Sequence, residues 1–588
     1  MRLRYLHLQN YPPITDIKIC FASGSPLARE CAIRFVVGLN GSGKSNLLRA
    51  VAEVFLALAD QRLPPFPATL IYELGYRGRS DHFTFVLDFP GKKSQAAIWM
   101  AEGWHWDDSD TADKFEETIQ QLRETGQADH FRTYIPRGMW PQNADIAMPK
   151  AVLAYTTGDL EPWRSIWSRN QDAQGLFDSS DEVLGDERPA DWTNAQELAL
   201  EAARQESSLG APNKIPIDPD LFRRPILLDD TLLKCALLAV ALPQAFVETA
   251  DYPGRTEFDA AMAKFLHRND NKNALQELLE RGGWHHLVSV SFRSCLQVDN
   301  WDRKLRETAH DWWLCAGEVI AEPHPFEVRR LLIYDLKGTC NLQDSSTRTV
   351  DLSTSFTQGE ALWTLLGGAE NATPFDLFKR LLELNQAGLF DEVLLRLRRQ
   401  PIPETGTDTS EQDIGVLRYE DLSDGERMVL GRMALFHLLE SQQDALLLLD
   451  EPETHFNDRW KREIVDIIDS AIGDTANDVL ISTHSSIMLS DAFDNEIVMV
   501  EKTANGSRIR SVTDSTFATD PSALMMTVFD ADDSIGKRAQ AFIEQKLRQA
   551  TGTPAEIAVL DRLIEHMGSG FYRSELRTLL NMWRSKNA

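Results

Sequence analysis

The strongest constraint on the fold is the octapeptide Gly38-Leu39-Asn40-Gly41-Ser42-Gly43-Lys44-Ser45, which has the pattern G-x-x-x-x-G-K-S. The apolar segment 33–37 before it predicts a buried strand, and segment 46–55 after it has the apolar spacing of a helix. In this strand–loop–helix context the pattern forms a phosphate-binding loop, in which backbone N–H groups and the helix N-terminus face the phosphates. Lys44 then reaches the β- and γ-phosphates of a nucleotide, and the Ser45 hydroxyl ligates Mg²⁺.

The amino-acid composition is typical of a globular protein with an excess of acidic residues. Of the 588 residues, 43% are hydrophobic, and the formal net charge is −28. Such acidity argues against non-specific coating of nucleic acid, which depends on neutralising phosphates, although it leaves room for a local basic groove. The six cysteines are scattered without a C-x-x-C pair, and no signal peptide or membrane-spanning run is evident, so we expect a cytoplasmic protein that is not in a membrane.

Local patterns predict a strand-rich N-terminal lobe followed by several mixed regions. Residues 1–21 indicate two strands around a Pro-Pro turn, and 82–106 indicate a hairpin. Segment 151–155 predicts an isolated apolar strand, 221–281 predicts helices, 284–292 and 326–336 predict strands, and 373–400 predicts a helical region. Stretches 178–191 and 401–415 have the composition of a loop and a linker.

A second cluster follows the apolar segment 445–449, where Asp450 and Glu451 end what we predict to be a fully buried parallel strand. Ligands of such sheets bind beyond the carboxyl ends of the strands. We expect Asp450 to hold Mg²⁺ through water opposite Ser45, and Glu451 to orient and polarise the attacking water.

Two further motifs flank this strand. Ser423 and Gly425 lie in LSDGER, one predicted helix upstream of Asp450, and the same pattern also fits a simple helix N-cap. In the functional interpretation the Ser423 hydroxyl and the Gly425 amide face a γ-phosphate. Downstream, the apolar strand 479–483 ends at His484, where a γ-phosphate sensor would be needed.

The order of these four motifs resembles that of ATP-binding-cassette (ABC) ATPases: Walker A at Gly38–Ser45, a signature motif at 422–426, Walker B at 446–451 and a switch histidine at His484. GLNGSGKSN, which includes Asn40 and Asn46, and DEPETHF in place of a transporter-like DEPTSALD resemble the RecF, SMC and OLD branch. The resemblance implies an α/β fold, an ABC-type P-loop NTPase head with an antiparallel β lobe and a large, mostly helical insertion.

The resemblance also implies a division of the chain. We expect an N-terminal ATPase lobe over 1–106, an insertion over 107–330, connecting strands and helices over 331–415, a C-terminal ATPase lobe over 416–520 and a helical region over 521–588. It further implies that ATP and Mg²⁺ lie between two copies of the chain, with Lys44, Ser45, Asp450, Glu451 and His484 from one copy and Ser423 and Gly425 from the other. ATP would close this homodimer, or a higher homo-oligomer, and hydrolysis would reopen it.

Segments such as AVLAYTTGDLEPW and GSGFYRSELRTLL resemble AAA-type ATPases of restriction- and retron-associated anti-phage systems, such as the Septu ATPase. This resemblance implies an ATP-hydrolysing regulator or sensor that controls a nuclease effector, for example of the HNH type, with a retron reverse transcriptase and its small DNA, or other nucleic acid, as further partners. Two alternatives stay open: a RecF-like DNA-repair ATPase, and a slow-turnover scaffold that binds ATP. A transporter subunit fits least.

A nuclease site within this chain is the less favoured hypothesis. Glu501 with Asp530 and Asp532 resembles the acidic set of a Toprim nuclease, but an ATPase lobe requires the strand before Glu501 in any case, and the later residues indicate helices. His285 and His286 lack the context of an HNH site. The position of a Q-loop is open, with the turn after Tyr155 as one candidate.

Departures from the family's LSGGQ form place carboxylates at Asp424 and Glu426, for which Arg427 is the expected compensation. Arginine clusters elsewhere are either solvated surface groups or parts of a basic groove. They are Arg77 with Arg79, Arg223 with Arg224, Arg329 with Arg330, and Arg396 with Arg398 and Arg399.

Overall fold

The computed structural model of the chain describes residues 1–21, 27, 29–107, 112–139, 148–172, 224–242, 283–295, 303–323, 329–340, 357–368, 373–399, 415–440, 442–503, 506–510, 512, 514–531, 535–549, 552–568 and 571–587. The predicted loop at 178–191, the helices expected over 243–281, most of the linker at 401–415, and Arg223 and Asp532 lie outside these residues, as does the side chain of His285.

Strands are numbered in chain order. They are β1 (Arg2–Tyr11), β2 (Ile14–Cys20), β3 (Ala32–Val37), β4 (Ala68–Leu74), β5 (Phe83–Phe89), β6 (Ala97–Glu102), β7 (Arg132–Ile135), β8 (Ala151–Thr156), β9 (Ile226–Leu228), β10 (Trp284–Cys295), β11 (Glu318–Glu322), β12 (Arg329–Asp335), β13 (Glu392–Arg399), β14 (Val416–Arg418), β15 (Ala445–Asp450), β16 (Asp478–Thr483), β17 (Ile497–Thr503) and β18 (Gly506–Arg510).

Helices are numbered in the same way. They are α1 (Lys44–Ala59), α2 (Ala112–Thr125), α3 (Glu161–Asp172), α4 (Asp230–Ala241), α5 (Arg303–Cys315), α6 (Gln358–Leu365), α7 (Pro374–Gln386), α8 (Asp424–Leu438), α9 (Asp458–Ile472), α10 (Ser486–Leu489), α11 (Pro521–Thr527), α12 (Lys537–Gln549), α13 (Pro554–His566) and α14 (Phe571–Asn587), with short 3₁₀ turns at Lys93–Gln95, Tyr419–Asp421 and Asp494–Glu496. In the part of the chain that the structure describes, none of the helices combines the length and the apolar character that crossing a membrane requires.

A seven-stranded sheet carries the phosphate-binding loop, the Asp450–Glu451 motif and the strand that ends before His484. Its order is β18-β17-β3-β16-β15-β8-β9, and all neighbours are parallel except the β17–β18 hairpin. The continuous apolar runs of β15 and β16 are wholly buried, as predicted for central parallel strands. Parallel pairing places the carboxyl ends of β3, β16, β15 and β8 along one edge of the sheet.

Two antiparallel sheets complete the strand content of the described residues. One has the order β2-β1-β4-β5-β6-β7, which confirms the predicted N-terminal strands and the 82–106 hairpin. The other has the order β11-β12-β10-β13-β14. Helix α1 shares one apolar core with both the seven-stranded and the six-stranded sheet, including Leu47, Leu70 and Leu448. Burial on nearly every side of α1 fixes the direction in which its N-terminus points.

The prediction of helical structure throughout 373–400 was wrong in its second half. Helix α7 ends at Gln386, and Gly388, with φ of 76°, follows in the left-handed conformation that ends many helices. Residues Glu392–Arg399 then form β13, because Val393, Leu395 and Leu397 alternate with polar or partly exposed positions. That alternation has period two, which fits a strand with one buried face.

The described residues fall into two compact units, Met1–Thr519 and Asp520–Ala588. The first contains the three sheets. The second consists of α11 to α14, of which the last three share an apolar core formed by Ile543, Leu560, Ile564, Leu576 and Leu580. The division into five domains stays a prediction.

Candidate functional site

The backbone of Gly38–Ser45 leaves β3 and turns directly into α1 under close steric limits. A Cβ on Gly38 would lie 2.2 Å from the Val500 carbonyl oxygen of β17, so no larger residue fits there without moving the backbone. Gly41 and Gly43 have φ of 76° and 104°, values that glycine adopts without strain. Gly43 is also the N-cap of α1, which leaves the first N–H groups of this helix directed out of its N-terminus.

Two buried polar side chains lie in this loop. Lys44 is 5% exposed, and its Nζ donates to the Gly38 carbonyl oxygen at 3.0 Å. An ammonium has three donors, so further N–H groups of Lys44 remain for oxygens of a ligand. The Ser42 hydroxyl is buried, and no acceptor or donor for it lies among the described residues. A buried cation and an unsatisfied hydroxyl fit a loop that holds phosphate.

The predicted Mg²⁺ ligands lie together at the carboxyl end of β15. The Ser45 hydroxyl donates to Asp450 Oδ1 at 2.8 Å, and the Ser482 hydroxyl donates to the same oxygen. Thr156, the last residue of β8, donates to Asp450 Oδ2 at 3.2 Å. These groups are carboxylate and hydroxyl oxygens, the donors that Mg²⁺ prefers. The residues present therefore fit a magnesium ion beside the phosphate-binding loop.

Glu451 and His484 form the second predicted pair. His484 Nδ1 lies 3.4 Å from Glu451 Oε1, and both side chains are accessible to solvent. The hydrogen bond with His484 lowers the pKa of Glu451, and the same bond raises the pKa of His484. Glu451 has φ of 51°, and its N–H donates to the Ser482 carbonyl oxygen at 3.0 Å. This left-handed backbone is costly for a side chain with a Cβ and is held here by β16.

Glu453 supports this pair, a role that the sequence did not reveal. Its side chain is 2% exposed and accepts hydrogen bonds from the Thr483 hydroxyl and, at 3.3 Å, from the His484 backbone N–H. Burial raises the pKa of Glu453. These contacts fix the end of β16, from which the His484 side chain reaches Glu451.

The signature-like motif forms the N-terminus of α8. Ser423 is the N-cap, exposed to solvent, and shares a capping box with Glu426, whose backbone N–H donates to the Ser423 hydroxyl at 3.3 Å. Both carboxylates of the motif are neutralised, since Arg427 pairs with Asp424 and Arg399 Nη2 lies 3.6 Å from Glu426. The expected compensation by Arg427 is thus present at Asp424, and Arg399 adds a second cation.

Arg432 links this helix to β8 and to the segment that follows Glu451, a contact that sequence patterns did not indicate. It is 1% exposed, and its guanidinium lies 5.2 Å from the ring centroid of Tyr155 and 4.5 Å from that of Phe456. Its Nη2 donates to the Thr454 carbonyl oxygen at 3.4 Å, within the segment that follows Glu451. A buried cation held by two aromatic rings therefore joins α8, β8 and the segment after β15.

The turn after Tyr155, one candidate for the Q-loop, contacts the end of β15. Besides the Thr156 contact with Asp450, the Thr157 hydroxyl donates to the Glu451 carbonyl oxygen at 2.9 Å. Strand β8 pairs in parallel with β15, from Ala151 opposite Ala445 to Thr156 opposite Asp450. The polar groups at the end of β8 are therefore the hydroxyls of Thr156 and Thr157. They contact the Asp450 carboxylate and the Glu451 backbone at the end of β15.

The β17–β18 hairpin packs on the phosphate-binding loop, a second contact that sequence motifs did not reveal. The Ser507 hydroxyl donates to the Ser42 carbonyl oxygen at 2.6 Å, across 465 residues of sequence. Lys502 is exposed, and its Nζ would lie 4.0 Å from a Cβ on Gly41. The phosphate-binding loop is therefore supported by a hairpin that is distant from it in the sequence.

Asn40 and Asn46 differ in their surroundings. Asn40 is exposed at the tip of the loop. The Asn46 amide donates to the Pro12 carbonyl oxygen at 2.8 Å, and its oxygen accepts from Arg49 at 3.0 Å. Asn46 thus connects α1 to the turn between β1 and β2.

Two of the acidic residues considered for a nuclease, Glu501 and Asp530, belong to different compact units. Glu501 pairs with Arg508 at 2.7 Å and with Arg510 at 3.0 Å. Asp530 belongs to the second compact unit. Among the residues that the structure describes, no group of three or more His, Cys, Asp or Glu side chains is arranged to hold a metal ion.

Together, the parallel sheet with its phosphate-binding loop, the Asp450–Glu451 strand end, the histidine at the next strand and the signature-like helix define an ABC-type P-loop ATPase fold. Residues 344–490, which include Ser423, Asp450, Glu451 and His484, match a family model described as "AAA domain, putative AbiEii toxin, Type IV TA system". The matched segment does not include Gly38–Ser45.

Solved structures similar to this chain include SMC head domains. One, from Pyrococcus furiosus with an extended coiled coil and bound to the C-terminal domain of ScpA, is 12% identical, covers 86% of this chain and 95% of its own, and gives a TM-score of 0.27. The SMC head domain from Thermotoga maritima is 11% identical, with 87% and 100% coverage and a TM-score of 0.28. No curated protein matches the sequence.

Proposed function

We propose that the protein binds and hydrolyses Mg²⁺-ATP at the edge formed by the ends of β3, β15 and β16. The observation that carries this proposal is the Ser45–Asp450 hydrogen bond at 2.8 Å, which joins the phosphate-binding loop to the Walker B carboxylate, with Glu451 as the next residue. A phosphate-binding loop with only a structural role would not need this carboxylate beside its serine.

Each residue of the site has a role that follows from its position. Lys44 and the N–H groups of the loop bind phosphate oxygens, and the Ser45 hydroxyl and Asp450 hold the metal ion. When bound, Mg²⁺ neutralises phosphate charge and orients the phosphate oxygens. Thr156 and Ser482 keep the Asp450 carboxylate in place through their hydroxyl groups.

Glu451 is the residue that we assign to the attacking water. The hydrogen bond from His484 lowers its pKa, so the carboxylate is ionised near neutral pH and can accept a hydrogen bond from water. The same contact raises the pKa of His484, so its imidazole stays positively charged to a higher pH than an ordinary histidine. This charge would attract the γ-phosphate. The pair thus combines an acceptor for water with a donor for phosphate.

We infer that a second copy of the chain completes the site. Ser423 is exposed at the N-terminus of a 15-residue helix, where N–H groups and the helix dipole favour an anion. The Ser423 hydroxyl and backbone N–H both donate to the Glu426 carboxylate within the same motif. In a dimer, Ser423 and Gly425 of one copy would face the γ-phosphate held by Lys44 of the other.

A role in an anti-phage module is supported by the match of residues 344–490 to a family described as a putative AbiEii toxin of a type IV toxin–antitoxin system. In this role, ATP-dependent closure of the dimer controls a nuclease effector, for example of the HNH type. In this role, binding of nucleic acid would signal infection to the ATPase. The small DNA of a retron, with its reverse transcriptase, is one such nucleic acid.

The nucleotide proposal is tested with two variants and a matched control. Lys44→Ala should lose nucleotide binding, measured by calorimetry, because a buried ammonium no longer faces the phosphates. Glu451→Gln should keep binding but lose hydrolysis by about 10²-fold or more, as expected for removal of a general base. Lys92→Ala, which changes an exposed lysine, should leave both unchanged. Hydrolysis at the wild-type rate in Lys44→Ala would refute the site.

The effector proposal is tested by affinity capture of Glu451→Gln from its native host, with Lys44→Ala as the control bait. Mass spectrometry and sequencing of bound nucleic acid should find a nuclease, or a reverse transcriptase with its small DNA, on the Glu451→Gln bait. Recombination proteins, or genomic DNA alone, would contradict the defence role and favour a repair ATPase.

A further inference from the structure

Two cysteines lie next to adjoining loops of the five-stranded sheet. Cys315 is the last residue of α5, and Cys340 follows the turn after β12. The backbone brings these loops together, since the Gly317 N–H donates to the Ile333 carbonyl oxygen at 2.8 Å on β12. Both loops therefore sit against the same strand.

The Gln358 side chain holds the two loops against one another. Its Oε1 accepts from the Asp335 N–H at 2.9 Å, and its Nε2 donates to the Thr339 carbonyl oxygen at 3.2 Å. A Cβ on Gly317 would lie 2.5 Å from Gln358 Oε1, and a Cβ on Gly338 would lie 3.0 Å from Gln358 Nε2. One amide thus packs against glycines located two residues from each cysteine.

The two thiols are within hydrogen-bonding reach of each other. Cys315 is 1% exposed, whereas Cys340 is partly accessible to solvent. The hydrogen bond from Cys315 lowers the pKa of Cys340, while the pKa of Cys315 is raised. A solvent-accessible thiol beside a buried thiol is the arrangement of an attacking and a resolving cysteine.

We propose that Cys315 and Cys340 are a thiol pair that reacts with hydroperoxides and closes reversibly to a disulfide. The Cys340 thiolate attacks the peroxide, whose O–O bond breaks, giving Cys340 sulfenic acid and either hydroxide from hydrogen peroxide or alkoxide from an organic hydroperoxide. The Cys315 thiol then displaces the sulfenic hydroxyl, so that a sulfur–sulfur bond forms and water leaves. The cysteines are oxidised by two electrons in total, and the peroxide is reduced.

The other described cysteines differ from this pair, so we expect a peroxide to oxidise Cys315 and Cys340 selectively. Burial raises the pKa of Cys31 and of Cys235, so neither offers a thiolate to an oxidant. Cys20 is exposed and tests whether exposure alone is enough for oxidation. Reversible disulfides in reducing compartments are typically catalytic or redox-sensing, and a pair that joins α5 to the turn after β12 would belong to the sensing kind.

The test uses the full-length protein, treated with hydrogen peroxide, alkylated with N-ethylmaleimide and digested without reduction. Peptide mass spectrometry should find Cys315 linked to Cys340, with the loss of two hydrogen atoms, and dithiothreitol should restore both thiols. Linkage of Cys340 to Cys295, or oxidation of Cys20 while both Cys315 and Cys340 stay reduced, would overturn the proposal.

Two variants separate attack from resolution. Cys315→Ser should leave Cys340 as a sulfenic acid that dimedone traps, because the resolving thiol is missing. Cys340→Ser should lose dimedone labelling, and Cys20→Ser should retain the disulfide. Absence of trapped sulfenic acid in Cys315→Ser would contradict the assigned roles. These measurements do not depend on ATP hydrolysis, so they stand whether or not the nucleotide site is active.

Discussion

At the scale of single residues, the proposed nucleotide site is defined by two contacts, which join Ser45 to Asp450 and Glu451 to His484. Sequence alone identified these four residues, because each occupies a motif of fixed spacing. It did not identify Glu453, whose buried carboxylate fixes the His484 backbone N–H, since its role depends on where β16 ends.

The pKa of His484 provides a test at this scale. The Glu451 carboxylate raises it, with a further contribution from Glu453, whereas the charge of Lys44 lowers it. The His484–Glu451 ion pair is therefore present between the lowered pKa of Glu451 and the raised pKa of His484, and it is lost as the pH falls through the first or rises through the second. Glu451→Gln should bring the pKa of His484 down towards its ordinary value.

Histidine ring resonances followed by NMR across pH measure this shift, with His484→Gln used to assign the signal. Glu102→Gln is the matched control, because it makes the same change in an exposed ion pair with Arg132. An identical pKa for His484 in the wild type and in Glu451→Gln would show that the two side chains do not interact in solution.

At the scale of elements, the motifs predicted the strands and helices that carry them but not how they pack. The apolar runs of β15 and β16 were confirmed as buried strands, because continuous apolar sequence is typical of central parallel strands. The β17–β18 hairpin, which supports the phosphate-binding loop through Ser507, was not predicted to contact it. Such long-range packing leaves no local pattern, and the same holds for Arg432 between two aromatic rings.

The N-terminus of α8 makes a prediction at the scale of a helix. Ser423→Ala removes a capping oxygen and should lower the free energy of unfolding by about 1 kcal/mol. Thr373→Ala removes the equivalent oxygen from the capping box of α7 and should cost a comparable amount. Only Ser423→Ala should also lose ATP hydrolysis, because in the proposed dimer its hydroxyl would contact the partner's γ-phosphate.

Urea unfolding and steady-state ATPase assays on both variants measure these two effects. A stability loss with wild-type hydrolysis in Ser423→Ala would reduce Ser423 to a simple helix cap. Loss of hydrolysis in Thr373→Ala as well would show that stability alone explains the effect.

At the scale of the whole molecule, the fold gathers distant segments along one edge of a sheet. Strands β3, β8, β15 and β16 are scattered over the sequence, and parallel pairing aligns their carboxyl ends. The motifs indicated three of these strands. The fourth, β8, was expected only as an isolated apolar strand, because nothing in a single sequence shows which strand it pairs with. Its Thr156 nevertheless contacts Asp450.

The composite nucleotide site is the central claim, and mixing two inactive variants tests it most directly. Lys44→Ala disables the phosphate-binding loop, and Ser423→Ala disables the signature helix, so each homodimer should be inactive. In an equal mixture, a heterodimer has one site with an intact loop from one copy and an intact signature from the other. ATP hydrolysis should then recover to about a quarter of the wild-type rate. An inactive mixture in which both variants are folded and exchange subunits would contradict a site shared between two copies.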